Sequence, residues 1–169
     1  MAIDHLSFAT RDMDATRHFY ETQLGFNIVI HEHMIVEEGG YVDHVFFDCG
    51  DGCCLAFMHW VDAPMIPSSF DTGINLGLGV PPGTYHFALR CNSLTNLEAR
   101  RSELIYKGVT VGEILDLHPY KSFFFDDPNG LRLEYTTLVA SCTEIDKDPT
   151  KRRFPISLEQ FKKASQPAN

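Results

Sequence analysis

Basic residues are scarce. Lys and Arg number 14 against 23 Asp and Glu, a net charge of -9 at pH 7. Such a surface does not reward nucleic-acid phosphates or an anionic membrane, so neither is expected as a partner. The one basic run, Lys151-Arg152-Arg153, is short and reads as a solvated turn. No apolar stretch approaches the ~20 residues that span a bilayer. The start, Met1-Ala2-Ile3-Asp4-His5, lacks a basic region followed by an apolar one, so no export signal is expected and a cytoplasmic location is the reading. Cysteine is present in an odd number, at Cys49, Cys53, Cys54, Cys91 and Cys142, without zinc-like spacing. Adjacent Cys53 and Cys54 would point to opposite faces of a strand and are poorly placed to bridge each other. Reduced, mostly buried thiols are expected, and a structural zinc is not.

What is there is an ordinary globular composition, 44% hydrophobic and 22% charged, arranged as one unit written twice. Ile3 to Phe8 alternates as a short strand, Asp12 or Asp14 caps a helix carrying Ala15, Phe19 and Leu24, and Gly25 stops it. Phe26–Ile30, Tyr41–Phe47 and Cys53–Trp60 read as three further strands, with Cys49-Gly50-Asp51-Gly52 as a tight turn. Residues 61–83, rich in proline and glycine, read as a linker without regular structure. Residues 84–138 repeat the order: strand Thr84–Leu89, a helix capped by Ser93 or Thr95 and carrying Leu97, Leu104 and Ile105, then strands at Val109–Val111, Lys121–Phe125 and Leu131–Thr137. The turns match too: Phe46-Phe47-Asp48 stands four residues before Gly52, and Phe124-Phe125-Asp126 four before Gly130. The expectation is an α+β fold of two βαβββ modules (1–60 and 84–138) forming a curved mixed sheet, with helices outside and a concave cavity inside. Residues 139–169 form a tail in which Ser157 can cap a short helix over Pro155–Phe161.

Three strands carry titratable residues opposite their apolar face. Leu6 and Phe8 leave His5 on the other side; Phe87 and Leu89 leave His86, Ala88 and Arg90; Leu131, Leu133 and Tyr135 leave Arg132, Glu134 and Thr136. A lone strand histidine is more often a hydrogen-bonded structural residue than a ligand, and a lone terminal glutamate is more often solvated. Here His5 and His86 open equivalent strands and Glu134 closes a module. Two imidazoles and one carboxylate suit Fe(II), Mn(II) or a similar ion with positions left for substrate. By the hairpin offset the partner of Glu134 in the first module is Ala56, which cannot ligate.

The stretches Ile3-Asp4-His5-Leu6-Ser7-Phe8, Phe19-Tyr20 followed by Leu24-Gly25-Phe26, Tyr85-His86-Phe87-Ala88 and Asp127-Pro128-Asn129-Gly130-Leu131-Arg132-Leu133-Glu134-Tyr135 resemble the vicinal oxygen chelate superfamily. That group includes glyoxalase I, extradiol dioxygenases, fosfomycin-resistance transferases and bleomycin-binding proteins. The resemblance covers about residues 2–138 and implies a divalent metal held by His5, His86 and Glu134, Fe(II) favoured and Mn(II) next. Within the family, the missing ligand at Ala56 disfavours glyoxalase and epimerase chemistry, and the retained ligands differ from bleomycin-binding members. The ligand set is closest to extradiol dioxygenases, which implies an oxidoreductase that cleaves a catechol-type ring. A fosfomycin-type thiol transferase, with Arg90 and Arg132 gripping an anion, or a glyoxalase/epimerase-like enzyme is one alternative, and a non-catalytic small-molecule binding or resistance protein is another.

Phe124 stands where many extradiol enzymes carry a catalytic tyrosine, so proton transfer falls to His118 and Tyr120, with His59 a further candidate. A histidine pKa near ~6.5 suits such work. Phe46, Phe47, Phe57, Trp60 and Phe123 would suit an aromatic substrate, although core packing is the weightier reading for most of them. A small-molecule partner is expected, and similar proteins often form homodimers.

Overall fold

Asp12 starts the first helix as its sequence position suggests: the side chain accepts a hydrogen bond from the Ala15 amide at 2.8 Å, meeting one of the unpaired donors of the first turn. In the computed structural model, which describes residues 3–67 and 69–151, this helix, α1 (Met13–Arg17), passes into a π-helical turn at His18–Gln23. The wider turn is visible in the Leu24 amide, which reaches back five residues to the Phe19 carbonyl. Around it lie β1 (His5–Thr10), β2 (Asn27–Ile35), β3 (Tyr41–Gly50) and β4 (Cys53–Val61). The expected featureless linker contains one short helix, α2 (Ile74–Gly77), entered where Asp71 accepts from the Gly73 amide.

The second module comprises β5 (His86–Arg90), α3 (Leu94–Tyr106), β6 (Leu115–Leu117), β7 (Tyr120–Asp126) and β8 (Arg132–Leu138). Ser93 caps α3 by accepting from the Asn96 amide. Val109–Val111 is not a strand: Val111 makes a single bridge to Phe125, and the strand paired with β7 comes later, as β6. The expected helix at Pro155–Phe161 lies outside the described residues. No helix among those described is long and apolar enough to cross a membrane.

Strand pairing gives two four-stranded mixed sheets, in the orders β1-β4-β3-β2 and β5-β8-β7-β6. In each, the first strand runs parallel to the last and the remaining neighbours are antiparallel. This is the βαβββ arrangement twice. The chain separates into two units: one runs up to Leu78 and includes Asp127–Leu131, and the other comprises Gly79–Asp126 and the chain from Arg132 onward.

Each unit has its own core between helix and sheet. In the first, Tyr20 stacks on Phe47 with centroids 5.2 Å apart and tilts against Phe57 at 4.8 Å; all three are fully buried. Each such aromatic contributes roughly 1.5–3 kcal/mol through burial. In the second, Leu97 and Leu104, two turns apart on α3, are fully buried, and Tyr135 stacks on Phe125 at 5.6 Å. Ile105, expected with them, is half exposed because helical spacing turns it off the buried stripe.

Asp127 organises the turn assigned to the first unit. Its Oδ1 accepts from the Asn129 and Leu131 amides, both at 2.8 Å, while Oδ2 accepts from Asn129 Nδ2 at 3.0 Å and Tyr20 Oη at 3.1 Å. Gly130 has φ +76°, and a Cβ there would stand 3.3 Å from Gly73 Cα, so both backbone conformation and space favour glycine.

Candidate functional site

The parallel pairing of β5 with β8 sets the site in the second unit. Its register puts His86 opposite Arg132, Ala88 opposite Glu134 and Arg90 opposite Thr136. Phe87, Leu89, Leu133 and Tyr135 therefore take the helix side, and the polar set takes the other. His86 Nε2 lies 3.1 Å from Glu134 Oε2, with the Glu134 side chain only 10% exposed.

The other imidazole nitrogen is committed: Nδ1 donates to the Gly83 carbonyl at 2.8 Å. A carbonyl only accepts, so the proton belongs on Nδ1. Nε2 then faces a carboxylate, and two acceptors at that distance need a cation between them, either a second proton or a metal ion. The Glu134 hydrogen bond accordingly raises the His86 pKa above its ordinary value, with burial opposing and the Gly83 bond assisting. The edge of the ring meets Phe124, with centroids 5.8 Å apart.

His5 has matching local surroundings in the first unit. Its Nδ1 lies 2.7 Å from Asp4 Oδ1, and its ring meets Phe46 edge-on at 5.3 Å. Phe46 is paired with Ala56 as Phe124 is paired with Glu134, and Ala56 is fully buried. The first unit thus offers an imidazole without the carboxylate, and the second offers both. Holding Nδ1 on an acceptor leaves Nε2 as the coordinating atom, the common arrangement for a metal-bound imidazole. The second unit's His86 Nε2 and Glu134 Oε2, 3.1 Å apart, are donors that fit a divalent ion.

A cavity of about 570 Å³ opens beside Glu134, lined also by Arg90, Cys91, Asn92, Tyr120 and Thr136. Tyr120 therefore shares a cavity with Glu134, whereas His118 is exposed and is not among the lining residues. Its backbone amide donates to Asp116 Oδ1. His59 lies in the first unit, on β4, paired with Asp43.

Core packing, the weightier reading for most of the aromatic residues, holds for three of them. Phe47, Phe57 and Phe123 are fully buried in the two cores, so they cannot line a substrate site; strand register turns Phe46 and Phe124 to the histidine side instead. Arg132 is 4% exposed, with Nε 2.9 Å from Asp126 Oδ1. It neutralises a neighbour and is not displayed on the cavity, so of the two arginines only Arg90 is available there. Cys91 and Asn92, just past β5, carry no sequence signal of a cavity role. The Gly83 carbonyl could not be anticipated either, since any residue type supplies one.

Comparisons with known proteins agree with this architecture. SMU.1112c is 26% identical, with a TM-score of 0.58 over 80% of this chain and 98% of that one. Lactoylglutathione lyase from Agrobacterium tumefaciens is 20% identical, with a TM-score of 0.55 over 80% and 92%. TnmS3, an antibiotic binding protein from Streptomyces sp. CB03234, is 18% identical, with a TM-score of 0.56 over 82% and 96%. No curated protein matches the chain. The family model described as Glyoxalase/Bleomycin resistance protein/Dioxygenase superfamily matches residues 2–135, and the chain belongs to that superfamily, the vicinal oxygen chelate group.

Proposed function

We propose that this protein is a divalent-metal-dependent enzyme acting on a small molecule that presents two neighbouring oxygens. The observation carrying this reading is the His86–Glu134 pair, 3.1 Å apart, with its second imidazole nitrogen already held by Gly83. His86 and Glu134 are the proposed ligands in the second unit. His5 is the proposed third ligand on its motif position alone. Two imidazoles and one carboxylate with open positions favour Fe(II), then Mn(II). When bound, such an ion polarises the substrate oxygens and lowers the pKa of a coordinated hydroxyl.

The protein's own groups would do the remaining work. Gly83 fixes the His86 tautomer and Phe124 limits the ring's rotation. Arg90, on the cavity, would hold an anionic oxygen. Tyr120 is the preferred proton-transfer group because it lines the cavity with Glu134, and His118 ranks behind it.

Oxidative cleavage of a catechol-type ring is the proposed reaction. The test is oxygen uptake by anaerobically purified, Fe(II)-loaded protein across a panel of catechols. Uptake with a yellow ring-cleavage product supports it; no uptake from a fully iron-loaded protein overturns it. Arg90 favours one second reading, metal-dependent thiol transfer to an oxyanion substrate, which would consume thiol without consuming oxygen.

A further inference from the structure

The first unit carries a separate cluster of metal-binding side chains. On edge strand β2, His31 and His33 are two residues apart and therefore point to the same face. Across the ladder His33 is paired with Asp43 of β3. Both imidazoles aim the same atom at one carboxylate oxygen: His31 Nε2 lies 2.7 Å and His33 Nε2 3.3 Å from Asp43 Oδ1. The three donor atoms all lie within 4.8 Å of one another. Asp43 is also paired on its other side with His59 of β4, which adds no ligand atom to the group.

This cluster is not part of the duplicated frame. The hairpin offset that matches Phe46 to Phe124 matches Asp43 to Lys121, which faces Asp116 at 3.5 Å. It is also absent from the set of residues that carries the superfamily motif.

We propose that His31, His33 and Asp43 bind a borderline divalent cation of the zinc(II), nickel(II) or copper(II) class. In a tetrahedral site with bonds of ~2.0–2.1 Å, ligand atoms stand roughly 3.3–3.4 Å apart. The His33–Asp43 spacing already has that value, and the His31–Asp43 spacing needs to open by about 0.6 Å on the same scale. The Asp43 side chain is 16% exposed, whereas the imidazoles are 38% and 56% exposed. The carboxylate is thus fixed in the sheet while the histidines keep an open route for the ion. Two imidazoles plus a carboxylate match the preferences of these ions and leave a position for water. The inference stands independently of the catalytic reading above, since it uses none of the same residues.

The experiment is calorimetric titration of the full chain carrying His86→Ala and Glu134→Ala with nickel(II) and, separately, zinc(II). Retention of one bound ion, weakened by more than about tenfold on adding His31→Ala or His33→Ala, is the expected result. No binding in the His86→Ala/Glu134→Ala protein overturns the proposal, as does binding that survives loss of both His31 and His33. If that variant does not fold, copper(II) titration of the wild-type protein followed by NMR decides the matter. Broadening of the His31, His33 and Asp43 signals, whether or not those of His5 and His86 broaden too, supports the site, and their persistence overturns it.

Discussion

Replacing Asp127 with alanine tests how much of the first unit's stability rests on one side chain. The carboxylate accepts four hydrogen bonds, from two backbone amides, the Asn129 amide group and Tyr20 Oη. Tyr20 is fully buried, and Asp127 and Asn129 are each 6% exposed, so water cannot readily replace the lost acceptor. Asn129 Nδ2 keeps a second partner in Thr16 Oγ1 at 3.1 Å, so the loss strands the Asn129 and Leu131 backbone amides and takes one acceptor from Tyr20 Oη. At roughly 1–3 kcal/mol for each stranded buried donor, and with relief from no longer burying a charge, the net loss is about 3–4 kcal/mol. For a chain of this length that corresponds to a fall in Tm of about 6–16 °C. Asp127→Asn retains one oxygen for the two backbone amides but presents an NH2 to the remaining donors, so about half that loss is expected. Tyr20→Phe removes a single bond and should cost about 1 kcal/mol. Urea unfolding of the three variants against the wild type is the assay. An Asp127→Ala protein within about 1 kcal/mol of wild type would refute the hub.

Two further outcomes follow from the local electrostatics. Burial, reinforced by neighbouring Cys53, pushes the Cys49 thiol up to about 12, and its Sγ donates to the Cys53 carbonyl. At pH 8 exposed Cys142 should therefore react with a thiol reagent well before Cys49, as mass-mapped labelling would show; equal rates contradict the burial argument. In the metal-free protein, NMR titration should find His86 protonated to a higher pH than a free histidine, because its Glu134 hydrogen bond favours the charged ring. Glu134→Gln should bring that titration down, and an unchanged midpoint would show that the pair does not form.

The parts of this architecture that are legible in the sequence are those fixed by local rules. Asp12 and Ser93 cap their helices because a short side-chain oxygen before an apolar-periodic run satisfies first-turn amides. His5, His86 and Glu134 fall opposite the apolar faces because strand side chains alternate regardless of tertiary context. The less legible parts depend on packing between distant segments. Composition cannot separate Phe46 from Phe47, or Phe124 from its neighbours; the face that meets the helix decides. Arg132 looks like a ligand-binding group from alternation alone, yet Asp126 lies within ion-pair distance of it in the fold. The His31–His33–Asp43 cluster did leave a sequence signal, a histidine pair at strand spacing, but its meaning depends on β3 bringing Asp43 alongside.

The most direct test of the metal-centre assignment is metal stoichiometry by mass spectrometry. It should be measured on anaerobically purified protein carrying His31→Ala and His33→Ala, so that the surface cluster contributes nothing. The account predicts one bound divalent ion, lost when His86→Ala, Glu134→Ala or His5→Ala is added while circular dichroism stays unchanged. Full metal content retained in the three added variants, or no metal under any loading condition, would contradict it.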